Sequence, residues 1–169
     1  MNDIKIRSYQ PSDLNAGRNL WKELTEHHQK IYNDPTIGGD NPGLYFDKLL
    51  AQVGPERLWV AEDKGDVIGL TGLILNGPEA EVEPLIVTPN YRGKGIGRAL
   101  LNHAIEQAKK LEVRYLSVRP VARNVEAISF FYESGFGLLG HIEMFMDLKP
   151  SKPDAWKSEL ILFGHKFKF

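Results

Sequence analysis

Apolar and polar positions alternate from the start of the chain. Ile4 and Ile6 are set against Lys5 and Arg7, the period of a half-buried strand over residues 3–9. Pro11, Ser12 and Asp13 form a helix-start signal, and Leu14, Trp21, Leu24 and Ile31 then recur at helical spacing. Residues 33–43 hold Pro35, Gly38, Gly39, Pro42 and Gly43 and read as a loop longer than most connections. Tyr45, Phe46, Leu49, Leu50 and Val53 predict a short second helix. Apolar strands follow at 57–62 and 67–75, joined by a hairpin turn at Asp63-Lys64-Gly65-Asp66, and another runs over 81–87. Pro84 cannot donate to a ladder, so that strand is expected to carry a bulge or lie at an edge. Over residues 97–111, Leu100, Ala104, Ala108 and Leu111 form one helical stripe, which Leu101 and Ile105 widen. A strand at 115–118, a helix at 125–133 ended by Gly135, and a strand at 140–148 complete the main pattern. Pro150 and Pro153 break the chain, and residues 160–169 read as a last strand. Hairpins beside crossovers predict an α/β (α+β) fold: a mixed, mostly antiparallel twisted sheet flanked by helices.

Composition narrows the picture. A chain of 169 residues suits one domain, given a usual size of ~100–200 residues. Residues 1–149 are read as that domain. Residues 150–169 are read as a tail that belongs to it or forms a dimer contact. A net charge of −1 gives no global basic field to hold nucleic acid or an acidic membrane. The absence of cysteine excludes disulfides, thiolate nucleophiles and thiolate metal sites, and suits a cytoplasmic protein. No apolar run approaches the ~20 residues of a membrane span, and the first residues are unlike a signal peptide. His27, His28, His103, His141 and His165 lack metal-ligand spacing, so no metal is expected. Trp21 and Trp59 sit in apolar patterns and are read as core.

The segment richest in chemistry is Val82–Gly97, where an apolar strand runs into glycines at 93, 95 and 97 and then a helix. The glycine spacing fails the Rossmann fingerprint, because the sixth position is Arg98. It fails the P-loop as well, because Gly95 follows Lys94 where Ser or Thr is required. The physics still favours a phosphate ligand. Glycine lets backbone approach closely, unpaired N–H groups can wrap a diphosphate, and the helix end adds roughly half a positive charge. Arg92, Lys94 and Arg98 add side-chain charge.

Arg92-Gly93-Lys94-Gly95-Ile96-Gly97, with its Tyr91 lead-in and the later Asn124, Ala127, Gly135 and Phe136, resembles the Gcn5-related N-acetyltransferases. The likeness covers most of the chain and extends to its element order. It implies acetyl-coenzyme A as co-substrate, bound at Arg92, Gly93, Lys94, Gly95, Ile96, Gly97 and Arg98. It also implies a splayed central strand pair, with the pantetheine arm held by the backbone of Leu85, Ile86 and Val87. Glu83 occupies the position of the general base in many relatives and is the preferred candidate. Glu81, two residues back on the same strand face, is the second. Asn124 is expected to contact the arm and cap its helix. The sequence departs from the family at Phe131, where a tyrosine usually protonates the leaving thiolate. Tyr132 lies one residue on, about 100° round the helix, and is carried as the candidate acid. Relatives cover the acceptor with the region that here holds Tyr32, Asp34, Asp40, Tyr45 and Phe46, whose acidic and aromatic content would suit a cationic amine.

The expectation is therefore an acetyl-CoA-dependent N-acetyltransferase. A primary amine attacks directly in a ternary complex, since no cysteine exists to carry an acyl group. The acceptor is left open among a small-molecule amine, a peptide N-terminus and a protein lysine. A homodimer is expected through Ile161, Leu162, Phe163, Phe167 and Phe169. Two rivals stand beside this reading: a non-catalytic acyl-CoA-binding sensor, favoured by Phe131, and a binder of some other phosphate ligand such as a nucleotide.

Overall fold

The computed structural model of the chain describes residues 4–146, 148, 156 and 158–169. Contacts gather into two units, Met1–Arg119 and Pro120–Phe169.

The first unit is built on a five-stranded sheet in the order β1-β2-β3-β4-β5. Its strands are β1 (Lys5–Ser8), β2 (Leu58–Asp63), β3 (Asp66–Asn76), β4 (Glu79–Val87) and β5 (Tyr115–Ser117). All neighbours are antiparallel except β4 and β5, which are parallel. Helices α1 (Leu14–Tyr32) and α2 (Leu44–Val53) precede β2, and α3 (Ile96–Lys110) follows β4. This is the mixed, mostly antiparallel sheet flanked by helices that the pattern predicts.

Local chemistry sets the element ends. Asp13 accepts from the Gln10 backbone N–H at 2.8 Å at the start of the first helical segment. Arg7 holds the same carboxylate through two contacts, 2.7 and 2.9 Å, and also reaches Glu62 at 2.6 Å. Buried Asp13 is thereby kept below the usual carboxylate range, chiefly by the Arg7 hydrogen bond. The hairpin turn between β2 and β3 places Lys64 (φ 54°) and Gly65 (φ 93°) in the left-handed region, which matches the twist of the flanking strands.

The core has two faces. On one, Leu20 of α1 and Phe46, Leu49 and Val53 of α2 pack on Leu58, Val60, Leu70 and Ile86 of the sheet. On the other, Ile96 and Leu100 of α3 pack on Ala61 and Ile68, with Leu85 and Val87 half-buried beside them. Arg18 and Asp47 join α1 to α2 through paired hydrogen bonds of 2.8 and 2.7 Å.

Two irregularities of β4 decide what the fold presents. The ladder with β3 runs from Asn76↔Glu79 to Leu73↔Val82 and resumes at Thr71↔Leu85. Gly72 alone therefore faces both Glu83 and Pro84, the two-against-one count of a β-bulge. A Cβ on Gly72 would lie 2.8 Å from the Glu83 carbonyl oxygen and 2.6 Å from Leu58 Cδ2, so only glycine fits against the bulge. The extra residue also turns the strand over. Glu81, opposite Ile74, faces the α1–α2 layer, whereas Leu85 and Val87, of the same parity, face α3. The second irregularity is an early splay: β5 pairs with β4 only over Glu79–Glu81. Beyond that point, Val82–Val87 has no strand on the β5 side among the described residues.

In the second unit, α4 (Val125–Glu133) stands where the pattern predicts it. The strand expected at 140–148 is not formed: residues 140–146 and 148 are irregular. Alternation specifies a strand only where a neighbour completes the ladder, and no strand of this unit pairs with the segment. The single strand expected at 160–169 is instead a hairpin of β6 (Glu159–Leu162) and β7 (His165–Lys168). Phe163 (φ 51°) and Gly164 (φ 78°) make its turn, splitting the apolar run in two. The break at Pro150–Pro153 lies outside the described residues. Among the described residues, no helix is long and apolar enough to cross a membrane.

Candidate active site

Strand β4 leads directly into the glycine loop. Arg92 Nε donates to the Val87 carbonyl at 2.9 Å, folding the loop back on the strand end. The Tyr91 hydroxyl donates to buried Asp63 Oδ2 at 3.0 Å, and the Lys94 ammonium lies 4.8 Å from the centre of the Tyr91 ring. Gly93 (φ 71°) and Gly95 (φ 82°) take backbone conformations that disfavour a side chain, and nothing lies within 4 Å of a Cβ at either. Gly95 is the N-cap of α3, whose first helical bond runs from Ala99 N–H to the Gly95 carbonyl at 3.0 Å. The N–H groups of Ile96 and Gly97 precede that bond and have no helical acceptor. The Ile96 side chain is buried in the α3 core, so Ile96 can offer a ligand only its backbone. Arg98 is exposed on the first turn of α3. Leu85, Ile86 and Val87 likewise have side chains in the core or half-buried against it, and offer their backbone at the splayed edge.

Glu81 and Glu83 line one pocket of about 740 Å³ on the α1–α2 face. Glu81 is 6% exposed and faces Arg119 Nε at 3.4 Å. Glu83 has no hydrogen-bond or ion-pair partner among the described residues. Burial pushes its carboxyl above the usual range; the neighbouring Glu81 charge adds to the rise, and Arg119 opposes it. A carboxylate raised in this way is a better match to the proton of an ammonium group than an ordinary one.

Apart from Tyr45, which the sequence assigned to the acceptor cover, the rest of the pocket was not visible as a site in the sequence. Helix α2 supplies Tyr45, Lys48, Leu49 and Gln52, and β3 supplies Ile74 and Asn76. The spacing i, i+3, i+4, i+7 places the four α2 residues on one helix face, but only the sheet position shows what that face looks upon. Trp21, read as core, is half-buried and lines the pocket. Trp59 is core as expected. Of the residues assigned to the acceptor cover, Phe46 is fully buried beneath α1 and α2 and cannot touch a ligand. Asp34 turns onto its own loop, accepting from the Thr36 N–H at 2.9 Å and hydroxyl at 2.6 Å.

The remaining candidates belong to the second unit. Asn124 caps α4, its Oδ1 accepting from Ala127 N–H at 3.1 Å. Phe131 packs edge-on against Phe130 and Phe136, with ring centres 5.3 and 5.8 Å apart. Tyr132 points to solvent, 70% exposed. No group of three His, Asp or Glu residues among those described could hold a metal ion.

The chain is similar to known acetyltransferases. The [Ribosomal protein bS18]-alanine N-acetyltransferase of Escherichia coli K12 is 28% identical over 131 residues, covering 78% of this chain and 79% of that protein. An uncharacterized N-acetyltransferase of Methanocaldococcus jannaschii is 32% identical over 99 residues, or 54% of this chain, and the match takes in only 44% of that relative's length. The crystal structure of the PaiA N-acetyltransferase from Thermoplasma acidophilum, in complex with coenzyme A, shares the fold. Its TM-score is 0.61 at 22% identity, covering 79% of this chain and 89% of that one. The sequence model of the acetyltransferase (GNAT) family matches residues 17–136, from the first helix to the end of the Asn124–Phe136 segment. The chain belongs to the acetyltransferase (GNAT) family.

Proposed function

We propose that this acetyltransferase moves an acetyl group from acetyl-coenzyme A to a primary amine by direct attack within a ternary complex. The observation that carries the reading is the edge of β4 over Val82–Val87, which no strand covers on the β5 side among the described residues, continuous with a glycine loop whose open side would accept a diphosphate. The bare N–H groups at the start of α3 and the Lys94 ammonium suit that anion. When bound, acetyl-coenzyme A supplies the thioester. The Leu85–Val87 backbone would pair with the pantetheine arm as a strand does and donate to the thioester oxygen. Glu83 would take the ammonium proton, directly or through water, and Glu81, held by Arg119, would keep that proton on Glu83 by its charge. Asn124 would steady the arm. The leaving thiolate would be protonated by Tyr132 or by water, because Phe131 has no proton to give.

Amine-dependent thiol release from acetyl-coenzyme A tests this reading. Release with any member of a panel of amines supports it. Stabilisation by coenzyme A without release favours the sensor. Stabilisation by ATP but not by coenzyme A removes both. We further propose that a second copy covers Ile161 and Phe163, which are 73% and 77% exposed. A solution mass that doubles with concentration supports the pairing, and a constant monomer mass rules it out.

A further inference from the structure

Charges of both signs line the pocket: the carboxylates of Glu79, Glu81 and Glu83 and the cations of Lys48 and Arg119. Glu81 is engaged by Arg119 at 3.4 Å. Glu83, the inner carboxylate, has no such partner, and Glu79 is exposed at the outer end opposite Asn76. Lys48 lines the same pocket from α2. Its ammonium rests 4.7 Å from the centre of the Tyr45 ring and has no ion-pair partner among the described residues. It shares its helix face with Tyr45, Leu49 and Gln52, all of which line the same space. Lys48 is exposed to solvent on this face and has no anion of its own, so a ligand in the pocket can offer it one.

We propose that the acceptor is an amine that also bears a carboxylate, in the manner of an α-amino acid, and that Lys48 is the specificity-determining residue that receives it. The proposal rests on the acetyltransferase reading above. The ammonium end goes to Glu83 and the carboxylate end to Lys48, which can leave the Tyr45 ring for a stronger charge-assisted hydrogen bond. Trp21, Leu49 and Ile74 offer apolar wall for the side chain between them.

The test compares kcat/KM for a set of apolar α-amino acids, phenylalanine and leucine among them, with the amines left after their decarboxylation. Each pair is measured with the parent protein, Lys48→Gln and Lys48→Glu. Dividing each variant's preference by the parent's cancels the intrinsic basicity of the amines. The parent is expected to favour the carboxylated partner. The preference should fall about fivefold in Lys48→Gln, as suits a partly exposed ion pair, and about tenfold further in Lys48→Glu, where like charges meet. The rise in melting temperature given by coenzyme A shows that each variant is folded. Amines acetylated with a preference that neither variant changes, or only decarboxylated amines accepted, overturn the carboxylate proposal while the acetyltransferase reading stands. No acetylation of any amine overturns that reading and the proposal with it.

Discussion

Gly95→Glu is expected to abolish the rise in melting temperature that acetyl-coenzyme A should give the parent protein. Gly95 lies at φ 82°, where a side chain is strained, and it caps the helix whose first N–H groups face the loop. A carboxylate there occupies the positive end of the helix and repels the diphosphate. At a ligand concentration 100 times Kd, linkage gives the parent about 2.7 kcal/mol. For a chain of this size that corresponds to roughly 5–10 °C. The variant should show less than about 1 °C, with Gly95→Ala between the two because it adds strain without charge. Paired melts with and without acetyl-coenzyme A read this directly. A full shift in Gly95→Glu would remove the loop from the coenzyme site.

Glu83→Gln should lower kcat by about 10²–10³-fold, the range of a lost general base, with a smaller effect on the KM for acetyl-coenzyme A. The carboxyl acts ionised, and its pKa is raised by burial and by Glu81. The parent's activity should therefore fall as pH drops through a value above the ordinary carboxylate range, and the variant should lose that limb. Stability moves the other way. A carboxyl whose folded pKa exceeds its unfolded one favours the folded state when protonated. That contribution is complete below the unfolded value and is lost as pH rises through the folded one. At neutral pH the charge is a burden, so Glu83→Gln should melt slightly higher than the parent, and the gain should vanish as pH falls. A pH–rate profile beside melts at two pH values separates these effects. A larger loss of kcat in Glu81→Gln would pass the role of base to Glu81.

Much of this architecture was legible because it follows from periodicity and punctuation. The stripe of Leu100, Ala104 and Ala108 fixes α3, and the Lys64-Gly65 turn fixes the β2–β3 hairpin. The glycine loop was legible because glycines at 93, 95 and 97 between a strand and a helix mark a turn that takes positive φ, as Gly93 and Gly95 do. Pro84 announced an irregularity in β4, but not that it would turn the strand over, which depends on Gly72 on the neighbouring strand. The pocket's Lys48, Gln52 and Arg119 carry no local signal, since a charged residue on a helix or after a strand is usually just solvated. Residues 140–146 show the converse: alternation without a neighbour to pair with does not make a strand. Phe46 failed as an acceptor contact because proximity in sequence to a loop says nothing about which side of the helix meets the core.

The bulge at Glu83 and Pro84 has a consequence for how this protein can vary. It lets one strand serve two clients: Glu81 and Glu83 line the pocket, while Leu85 and Val87 look to α3. A change of side chain at the first pair, even one that removes a carboxylate, leaves the packing of the second in place. Removing one residue between them would restore a regular pleat and send one set to the wrong side of the sheet. The fold of this strand is thus tolerant of side-chain replacement and intolerant of a change in length between Glu81 and Leu85.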